Sequence, residues 1–443
     1  MSAHIAKRLM TAGMSEAAAK QKMEVFPRIE SQLACSREED LLRWFVPGRI
    51  EVLGKHTDYA GGRSLLCTAE RGFCVAVTPR SDAWVRVYDL VRRSSAEFEL
   101  SPDLIIPDLG WRLYVHVVAR RVARNFPGPL RGVDLCLASD LPSAAGMSSS
   151  SALVVAVFAV LSAVNDLPAR DEYRANIQSQ TDLASYLGCI ENGQNYRSLV
   201  GDGGVGTFGG SEDHTAILTS NAGHLKQFSF CPVRHERTVR LPDGCAFVIG
   251  VSGVVADKTG SAKASYNHAS QSAREVLQRW RSASGSDAAT LAEAATSAAD
   301  SAERIRTMLR RTGETDSHAL INRFEQFLLE SESIIPQATD ALARGDLSAF
   351  GKLVDESQAA AENLLGNQVA ETIFLARTAR QLGAYAASAF GAGFGGSVWA
   401  LTAAADAPEF AEKWRKAYEA SGHQAAAKSL FFITAAGPPM VRL

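Results

Sequence analysis

The chain has 443 residues, of which 46% are hydrophobic and 21% are charged, and its formal net charge is −2. This composition is typical of a soluble globular protein, and the length exceeds one ordinary domain, so two domains are expected. The near-neutral charge gives no support to a general nucleic-acid or anionic-membrane binder, which needs a basic face. No apolar run of about eighteen residues occurs, so neither secretion nor membrane insertion is indicated.

The cysteines indicate a reducing compartment. Their number, seven, is odd, and they are widely scattered with no C-x-x-C pair. This pattern argues for reduced thiols in the cytoplasm and against a disulfide framework or a zinc site.

Elements of the first unit are predicted in chain order. A helix is expected in the first forty residues, where Ala19, Met23 and Phe26 recur at helical spacing. Short alternating or apolar runs predict strands at residues 74–77, 84–88 and 133–137. A helix is predicted over 111–125, between the second and third of these strands, with Arg120, Arg121 and Arg124 expected on a solvated face. A Ser/Gly-rich turn after Pro142 leads into an apolar helix over 152–164, and strand, small-residue turn and helix are the setting of a phosphate loop.

A second unit is predicted from residue 241, so that the two domains cover 1–240 and 241–443. Its predicted elements are a strand at 245–251, helices at 261–280 and 369–382, a surface helix in the alanine-rich region 288–302, and strands at 397–401 and 430–433. The strand at 430–433 is expected to be the last.

Residues 46–62, V-P-G-R-I-E-V-L-G-K-H-T-D-Y-A-G-G, are the most informative stretch of the sequence. They place Arg49, Lys55, His56 and Asp58 between glycines. A glycine-rich turn can lay backbone close to a small polar ligand while it aims charged side chains at that ligand. A solvated charged turn would explain any one of these residues, but it does not account for the whole string.

Two further motifs are rich in small residues. Residues 142–152, P-S-A-A-G-M-S-S-S-S-A, predict backbone N–H groups at a helix start that bind phosphate, with serine hydroxyls as further donors or metal ligands. A serine-rich helix cap is the simpler alternative, and a Walker A loop is excluded because no G-K-[ST] follows. Residues 388–397, S-A-F-G-A-G-F-G-G-S, predict a tight loop against a ligand or another loop, or else a plain hairpin.

These three motifs, in this order, resemble the signatures of galactokinases, which are members of the GHMP small-molecule kinases. The resemblance runs from about Leu41 to Leu401. It implies an α/β (α+β) fold of two domains with the active site in the cleft between them. It also implies phosphorylation of a hexose at its anomeric hydroxyl, most simply D-galactose, with ATP and Mg²⁺. The implied partners are a small-molecule sugar and ATP, with no nucleic acid or membrane; no protein partner is indicated.

The resemblance also implies roles for single residues. Asp213, in G-G-S-E-D-H, corresponds to the aspartate of the family's G-I-M-D-Q segment and is the expected base, with Glu212 as the rival carboxylate. Arg49 is the expected cation near the transferring group. The remaining expected roles are phosphate binding by Gly146, Met147, Ser148, Ser149, Ser150 and Ser151, Mg²⁺ binding by Ser149 or Ser150 with Glu191, and sugar binding by Lys55, His56, Asp58, Gly210 and Tyr266.

Departures from the family pattern leave some questions open. The family phosphate loop, P-x-x-x-G-L-S-S-S-A, usually has glycines where this chain has Ala144 and Ala145. The extra residues near 201–204 predict an inserted flexible loop that covers the site. Some relatives are sugar and ATP sensors without turnover, but the intact serine-rich loop and Asp213 favour an enzyme.

The lysine at residue 55 leaves the identity of the sugar substrate open. At this position the family has a glutamate, which accepts a hydrogen bond from the sugar's primary hydroxyl, whereas a lysine only donates. Lys55 would therefore suit an anionic group, so galacturonate or another C6-modified sugar is the alternative substrate. Two other interpretations are that Lys55 turns to solvent or pairs with Glu51.

Overall fold

The computed structural model describes residues 2–33, 40–107, 110–256, 263–311 and 317–443. The α-helices in these ranges are α1 Ser2–Thr11, α2 Glu16–Glu30, α3 Gly110–Asn125, α4 Ser149–Val164, α5 Asp171–Asn176, α6 Gln180–Asn192, α7 Glu212–Thr219, α8 Lys263–Ser284, α9 Leu291–Thr296, α10 Ser301–Arg311, α11 Ser317–Leu328, α12 Ile335–Ala343, α13 Leu347–Ala360, α14 Ala370–Gln381 and α15 Ala407–Glu419. The β-strands are β1 Leu42–Leu53, β2 Arg63–Pro79, β3 Trp84–Asp89, β4 Ser94–Glu99, β5 Val133–Ser139, β6 His224–Ser229, β7 Arg234–Arg240, β8 Cys245–Val251, β9 Ala386–Ala389, β10 Ser397–Ala403, β11 Leu430–Thr434 and β12 Val441–Arg442. A π-helical segment, Leu329–Ile334, joins α11 to α12.

The first sheet carries the site. Its strand order is β12-β1-β2-β5-β3-β4, and β6 pairs with both β2 and β7. Strands β1 and β2 run antiparallel, with Arg49 opposite Thr68, and the register shifts between Pro47 and Arg49. Such a bulge re-aims side chains next to functional sites. Here it lies directly beside the arginine that the sequence singles out.

Helices cover both faces of the first sheet. Helix α4 is apolar on nearly all sides, as in S-A-L-V-V-A-V-F-A-V-L, and it is buried with α3 in the main core against the inner side chains of β1, β2 and β5. A helix that is hydrophobic all round belongs in a core. On the opposite face Phe26 and Ile29 of α2 pack with Phe45 and Cys74.

The second sheet is antiparallel, with the order β11-β8-β10-β9. Strand β10 pairs with β8 so that Trp399 lies opposite Ile249. The glycine-rich residues 391–396 form the connection from β9 to β10. Helices α14 and α15 close this sheet through a separate apolar cluster that contains Leu375 and Trp414.

Most predicted elements are present with shifted ends: α2, α3, α4 and α14 among the helices, and β3, β5, β8, β10 and β11 among the strands. The α/β architecture is confirmed. The division at residues 240/241 stays a prediction, although β12, at the far end of the chain, pairs with β1. Cys35 and residues 261–262 lie outside the described residues.

Three predictions about elements are wrong. Residues 46–53 belong to strand β1, so the signature turns only from Gly54 onward. The alanine-rich region forms two helices, α9 and α10, and buries Ala288, Leu291 and Ala294 in a small core rather than lying on the surface. Strand β11 is not the last, because β12 follows it. In the described ranges, no helix combines the length and the apolar character that a membrane span requires.

Candidate active site

Residues of the signature and of the later segments meet at a small polar cavity. Strand β1 and the turn after it supply one part of the lining, α6 and α7 a second, and Ser151 of α4, residues 207–210, α8 and the 391–396 loop complete it. Arg49, Asp58, Glu191, Asp213 and Tyr266 all line it. Residues that are far apart in sequence therefore converge on one space.

Arg49 is the electrostatic centre of the cavity. Its Nε donates to Asp213 Oδ1 at 2.6 Å, and its Nη2 donates to Glu51 Oε2 at 3.0 Å and lies 3.3 Å from Glu212 Oε1. Burial alone would lower the pKa of Arg49, but the attraction of Asp213, Glu51 and Glu212 outweighs it and raises that pKa. The guanidinium is therefore a permanent positive charge.

Ser151 joins two carboxylates of the cavity, those of the expected base Asp213 and of the expected Mg²⁺ ligand Glu191. Its hydroxyl lies 2.8 Å from Glu191 Oε2 and 3.2 Å from Asp213 Oδ2, and the side chain is fully buried in the first turn of α4. Its hydroxyl faces the carboxylates at the cavity, which Ser151 also lines, and the expectation that it binds a phosphate stays a prediction. Its place in the structure is that of a positioning residue for Asp213 and Glu191.

The sugar-side residues form a second group in the same cavity. His56 hydrogen-bonds with Tyr59 Oη at 2.9 Å and with the carbonyl of Ala392 at 3.2 Å. Asp58 Oδ2 accepts from the backbone N–H of Glu212, 3.1 Å away. These contacts hold the imidazole and the carboxylate in fixed orientations at the cavity wall.

Tyr266 and Gly210 complete the sugar side. The ring centroid of Tyr266 lies 5.3 Å from that of His56, and burial raises the pKa of its hydroxyl well above the usual value, so it remains a neutral donor. At Gly210 a Cβ would stand 2.3 Å from Asp58 Oδ2, so only glycine fits there. The structure places both of these predicted residues at the cavity.

Lys55 does not line this cavity. Its side chain is 1% exposed, and its ammonium donates to Ser388 Oγ at 2.7 Å and to Ser357 Oγ at 3.1 Å. The prediction that Lys55 contacts the sugar, and the alternative that it turns to solvent, are both wrong. Tertiary contacts draw the side chain into the packing between the signature turn and helix α13 with strand β9.

The phosphate loop leads directly into helix α4, and three of its residues have positive φ. Gly146 has φ 75° and Ser148, which precedes the first turn of α4, has φ 59°. Ala144 also has positive φ, at 49°, so the loop keeps this backbone shape where the family usually has glycine. The buried Ser148 hydroxyl makes no hydrogen bond in the described part of the chain.

A second cavity of about 910 Å³ opens beside this loop. Residues 143–146 and 148–150 line it together with Trp111 and Tyr114, and Ala392 lines both cavities. A helix start with free N–H groups stabilises an anion, and the aromatic side chains offer an apolar surface. The adjoining cavities therefore suit a nucleotide on one side and a small polar molecule on the other.

The expected Mg²⁺ donors lie on the two sides of this junction. Ser149 and Ser150 line the larger cavity, whereas Glu191 lines the smaller one. In the described ranges, no three His, Cys, Asp or Glu side chains form a metal cage. One carboxylate with hydroxyl groups nevertheless fits Mg²⁺, which commonly takes its other ligands from phosphates and water.

The glycine-rich loop lines the cavity next to Glu51, the ion-pair partner of Arg49. At Gly391 a Cβ would stand 1.9 Å from Glu51 Oε2, so the loop backbone packs directly on that carboxylate. Asn367 Nδ2 donates to the carbonyl of Gly391 at 2.9 Å and steadies the loop from the other side. The loop is therefore part of the site and not a plain hairpin.

Residues 193–206 pack against helix α3. Arg121 is completely buried and donates to the carbonyl of Gln194 at 2.7 Å, and Arg120 Nε lies 3.0 Å from Asp202 Oδ2. The prediction of a solvated arginine face is wrong for these two residues and holds for Arg124, which is exposed. Residues 201–204 are thus anchored to α3, and none of them lines the cavity.

Sequence reasoning missed Glu51 as a cavity residue and treated Glu212 only as a rival base. Both line the cavity, and both side chains are almost completely buried. Burial, and then the charge of Glu51, raise the pKa of Glu212 well above its usual value. The available signal was the alternation along β1, which puts Glu51 on the same face as Arg49.

Comparisons with known proteins agree with this geometry. The galactose-binding signature of galactokinases matches residues 34–79, the GHMP kinase N-terminal domain matches 113–192, and the GHMP kinase C-terminal model matches 338–420. A galactokinase of Chloroflexus aggregans is 30% identical over 82% of this chain and 84% of that protein. One of Roseiflexus sp. is 28% identical over 86% and 88%. The crystal structure of Lactococcus lactis galactokinase complexed with galactose shares the fold, with TM-score 0.77 and 23% identity over 95% of this chain and 99% of that chain.

Proposed function

This chain belongs to the galactokinase family of the GHMP kinases, and we propose that it transfers the γ-phosphoryl group of ATP to the anomeric hydroxyl of D-galactose. The observation that carries this proposal is the buried ion pair of Arg49 with Asp213, at 2.6 Å, in a cavity that adjoins the phosphate loop. Phosphoryl transfer needs a cation near the transferring group and a carboxylate near the attacking hydroxyl. The pair supplies both.

Asp213 is the base in this proposal. Its two oxygens accept from Arg49 and Ser151, which fixes the orientation of the carboxylate, and an adjacent guanidinium favours the ionised form. Glu212 is the less favoured base, because burial and then the charge of Glu51 raise its pKa well above the usual value and so disfavour its ionised form. Its Oε2 is also engaged by Ser64 at 2.8 Å.

The reaction balances without any further reactant. The anomeric oxygen bonds to the γ-phosphorus, and the bond from that phosphorus to the β,γ-bridging oxygen breaks. ADP leaves with the electron pair, and the hydroxyl proton passes to Asp213. Arg49 stabilises the charge on the transferring group, while His56, Asp58 and Tyr266 orient the sugar hydroxyls from the cavity wall.

The nucleotide is assigned to the larger cavity. The loop from Gly146 to Ser150 offers N–H groups and hydroxyls to the phosphates, among them the hydroxyl of Ser148, which has no hydrogen-bond partner among the described residues. Mg²⁺ would be held by Ser149 or Ser150 with Glu191, and it would supply neutralisation of phosphate charge. We place the reaction in the cytoplasm, since all the described cysteines are free thiols.

Asp213→Asn tests the proposal. The substitution keeps the size of the side chain and removes the charge that assists the hydroxyl, so we expect kcat to fall by about 10²- to 10⁴-fold. ADP release with galactose is the measurement, and Asp82→Asn, at an exposed ion pair with Arg80, is the matched control. A near-normal kcat in Asp213→Asn together with a lost kcat in Glu212→Gln would transfer the role of base to Glu212. No ADP release by the folded wild type would favour a sugar and ATP sensor.

A further inference from the structure

A groove lies beside the sugar cavity, on the other side of Tyr59. Two adjoining cavities form this groove, and Tyr59, Gln194 and Arg274 line both of them. Helices α6 and α8 supply much of the remaining lining. We call the two cavities together the side groove. The proposed function assigns no ligand to this space.

The stretch of chain that contains the extra residues builds one side of the side groove. The extra residues near 201–204 are anchored to α3, whereas Gln194, Tyr196 and Arg197 before them line the groove. Arg121 donates to the carbonyl of Gln194 at 2.7 Å, which fixes the backbone there. The side-chain amide of Gln194 makes no hydrogen bond within the described ranges. This wall is therefore firmly held and still presents a free polar group.

The charge balance of the side groove favours an anion. Its described lining contains three arginines, at residues 197, 274 and 281, and one carboxyl group, that of Asp182. Asp182 is already paired with Arg197, at 2.6 Å. Arg281 donates to the carbonyl of Ala288 at 2.8 Å, so its position is fixed by the backbone. One positive charge, that of Arg274, is left to balance.

Arg274 is the arginine whose donors are free. It is half-buried on α8, and its guanidinium carbon lies 5.2 Å from the ring centroid of Phe208. In the described part of the chain, neither a carboxylate nor a carbonyl accepts from it. A planar guanidinium binds phosphate through two parallel hydrogen bonds. A phosphoryl group also has a third oxygen for the amide of Gln194 or the hydroxyl of Ser211, which line the same cavity.

Tyr59 links the side groove to the sugar cavity. It lines both spaces, and its hydroxyl lies 2.9 Å from His56 Nδ1. Cys231 also lines the side groove, and its thiol lies 3.5 Å from the carbonyl oxygen of Asp58. A molecule that packs against Tyr59 therefore restrains the residues assigned to the sugar.

We propose that the side groove binds a phosphorylated sugar that is not a substrate, with its phosphoryl group on Arg274, and that its occupation strengthens sugar binding through Tyr59. The sugar hydroxyls meet the polar side chains of Gln194 and Ser211. No covalent step is involved. The inference goes beyond the proposed function, because it concerns a second site whose binding is measured without turnover.

Calorimetric titration with glucose 6-phosphate tests this site. The full-length protein is titrated with galactose and ADP present, so that these ligands compete for the two substrate cavities. We expect wild type to bind glucose 6-phosphate and not to bind glucose. Arg274→Met should raise the Kd for glucose 6-phosphate by about tenfold or more, because the charge-assisted hydrogen bonds are lost. Arg279→Met, on the same helix and paired with Glu275, is the matched control and should leave this Kd unchanged.

A second variant keeps the test open if Arg274→Met does not fold. Gln194 is exposed, and Gln194→Glu places a carboxylate in the side groove that repels phosphate and competes for Arg274. It should also raise the Kd for glucose 6-phosphate by about tenfold. No binding by wild type, or a Kd unchanged in the folded variants, overturns the site.

The link to the sugar is measured by a separate titration with galactose. Saturating glucose 6-phosphate should lower the Kd for galactose by about fivefold or more, because a held Tyr59 leaves His56 fewer orientations. An unchanged Kd for galactose overturns the link through Tyr59. Since these measurements need no phosphoryl transfer, their failure leaves the proposed function standing, and a failure of turnover leaves the side groove standing.

Discussion

Lys55 carries its charge into the interior and away from the sugar cavity, where Ser357 and Ser388 accept its hydrogen bonds. Lys55→Met should therefore leave the choice between galactose and galacturonate unchanged. We expect the ratio of their kcat/KM values to stay within about twofold of wild type. The ratio is measured in both proteins at one salt concentration. A loss of galacturonate use specific to Lys55→Met would mean that the ammonium reaches the substrate after all.

Glu212 links stability to pH. Glu51 and Arg49 from β1, Asp58 from the signature turn and Asp213 from its own helix face its carboxyl group, and the pKa is raised from the ordinary 4.5, by burial first. A carboxyl group whose pKa is higher in the folded than in the unfolded protein contributes its full stabilisation at pH values below the unfolded-state pKa. This stabilisation is lost as the pH rises through the folded-state pKa. We expect the free energy of unfolding of wild type to fall between about pH 5 and about pH 8, and that of Glu212→Gln to fall by less. Urea unfolding of both proteins at the two pH values is the measurement. Equal losses would contradict this.

At the scale of elements, the phosphate loop requires glycine at residue 146. Its φ is 75°, and a Cβ would lie 3.2 Å from Phe390 Cβ and crowd the nucleotide cavity. Gly146→Val should raise KM for ATP by about tenfold or more, because a side chain blocks the approach of backbone N–H groups to phosphate.

Gly285→Val is the matched control for this prediction. Gly285 has a similar φ of 69° with open space around it, so the two variants share the backbone strain and differ in position. An ATP titration of both proteins separates the two effects. Equal KM values for ATP in the two variants would remove the loop from nucleotide binding.

Strand β1 is the element that organises the site. Its buried strand geometry aims Arg49 and Glu51 at the cavity from one face, and the backbone N–H of Arg49 donates to the carbonyl of Met147, at 3.2 Å. At Arg49 the ladder with β2 fixes the backbone on one side, and the bond to Met147 fixes it on the other. The permanent charge is thus held rigidly beside the phosphate loop.

At the scale of the whole molecule, the C-terminal half supports the signature turn of the N-terminal half. Arg323 is buried, donates to Gln326 Oε1 at 2.6 Å and also bonds to the carbonyl of His56, while Glu330 accepts from the N–H of Gly54 at 2.8 Å. The residues assigned to the sugar are thus positioned by segments far along the chain. Arg323 and His56, for example, are 267 residues apart in the sequence.

Arg323→Met tests this support. It removes the donors that hold the turn without touching the cavity, so we expect kcat/KM for galactose to fall by about tenfold or more, since small misplacements of positioning groups are costly. KM for ATP should change less. Arg304→Met, at an exposed arginine over Trp280, is the control. Unchanged galactose kinetics in Arg323→Met would show that the turn holds its shape alone.

The sequence predicted much of this protein because its signals are local. Apolar periodicity gave α2 and α3, and a continuous apolar run gave α4. The first motif gave the cavity residues Arg49, His56 and Asp58, and the segment at 209–214 gave Asp213, without any pairing information. Glycines at 146, 210 and 391 report tight backbone approaches, which is a property of each position that a motif can preserve. The family and the phosphate loop follow from these local patterns.

Only the tertiary structure decided which partners the charged and polar side chains contact. Lys55, Ser151 and Arg121 are each polar residues that local pattern places at a ligand or in solvent, yet each is buried on partners far along the chain. The pairing of Glu51 and Glu212 with the buried Arg49 likewise depends on what packs around them. A charge buried in protein must find its partners in three dimensions, and a linear sequence does not state which partners those are.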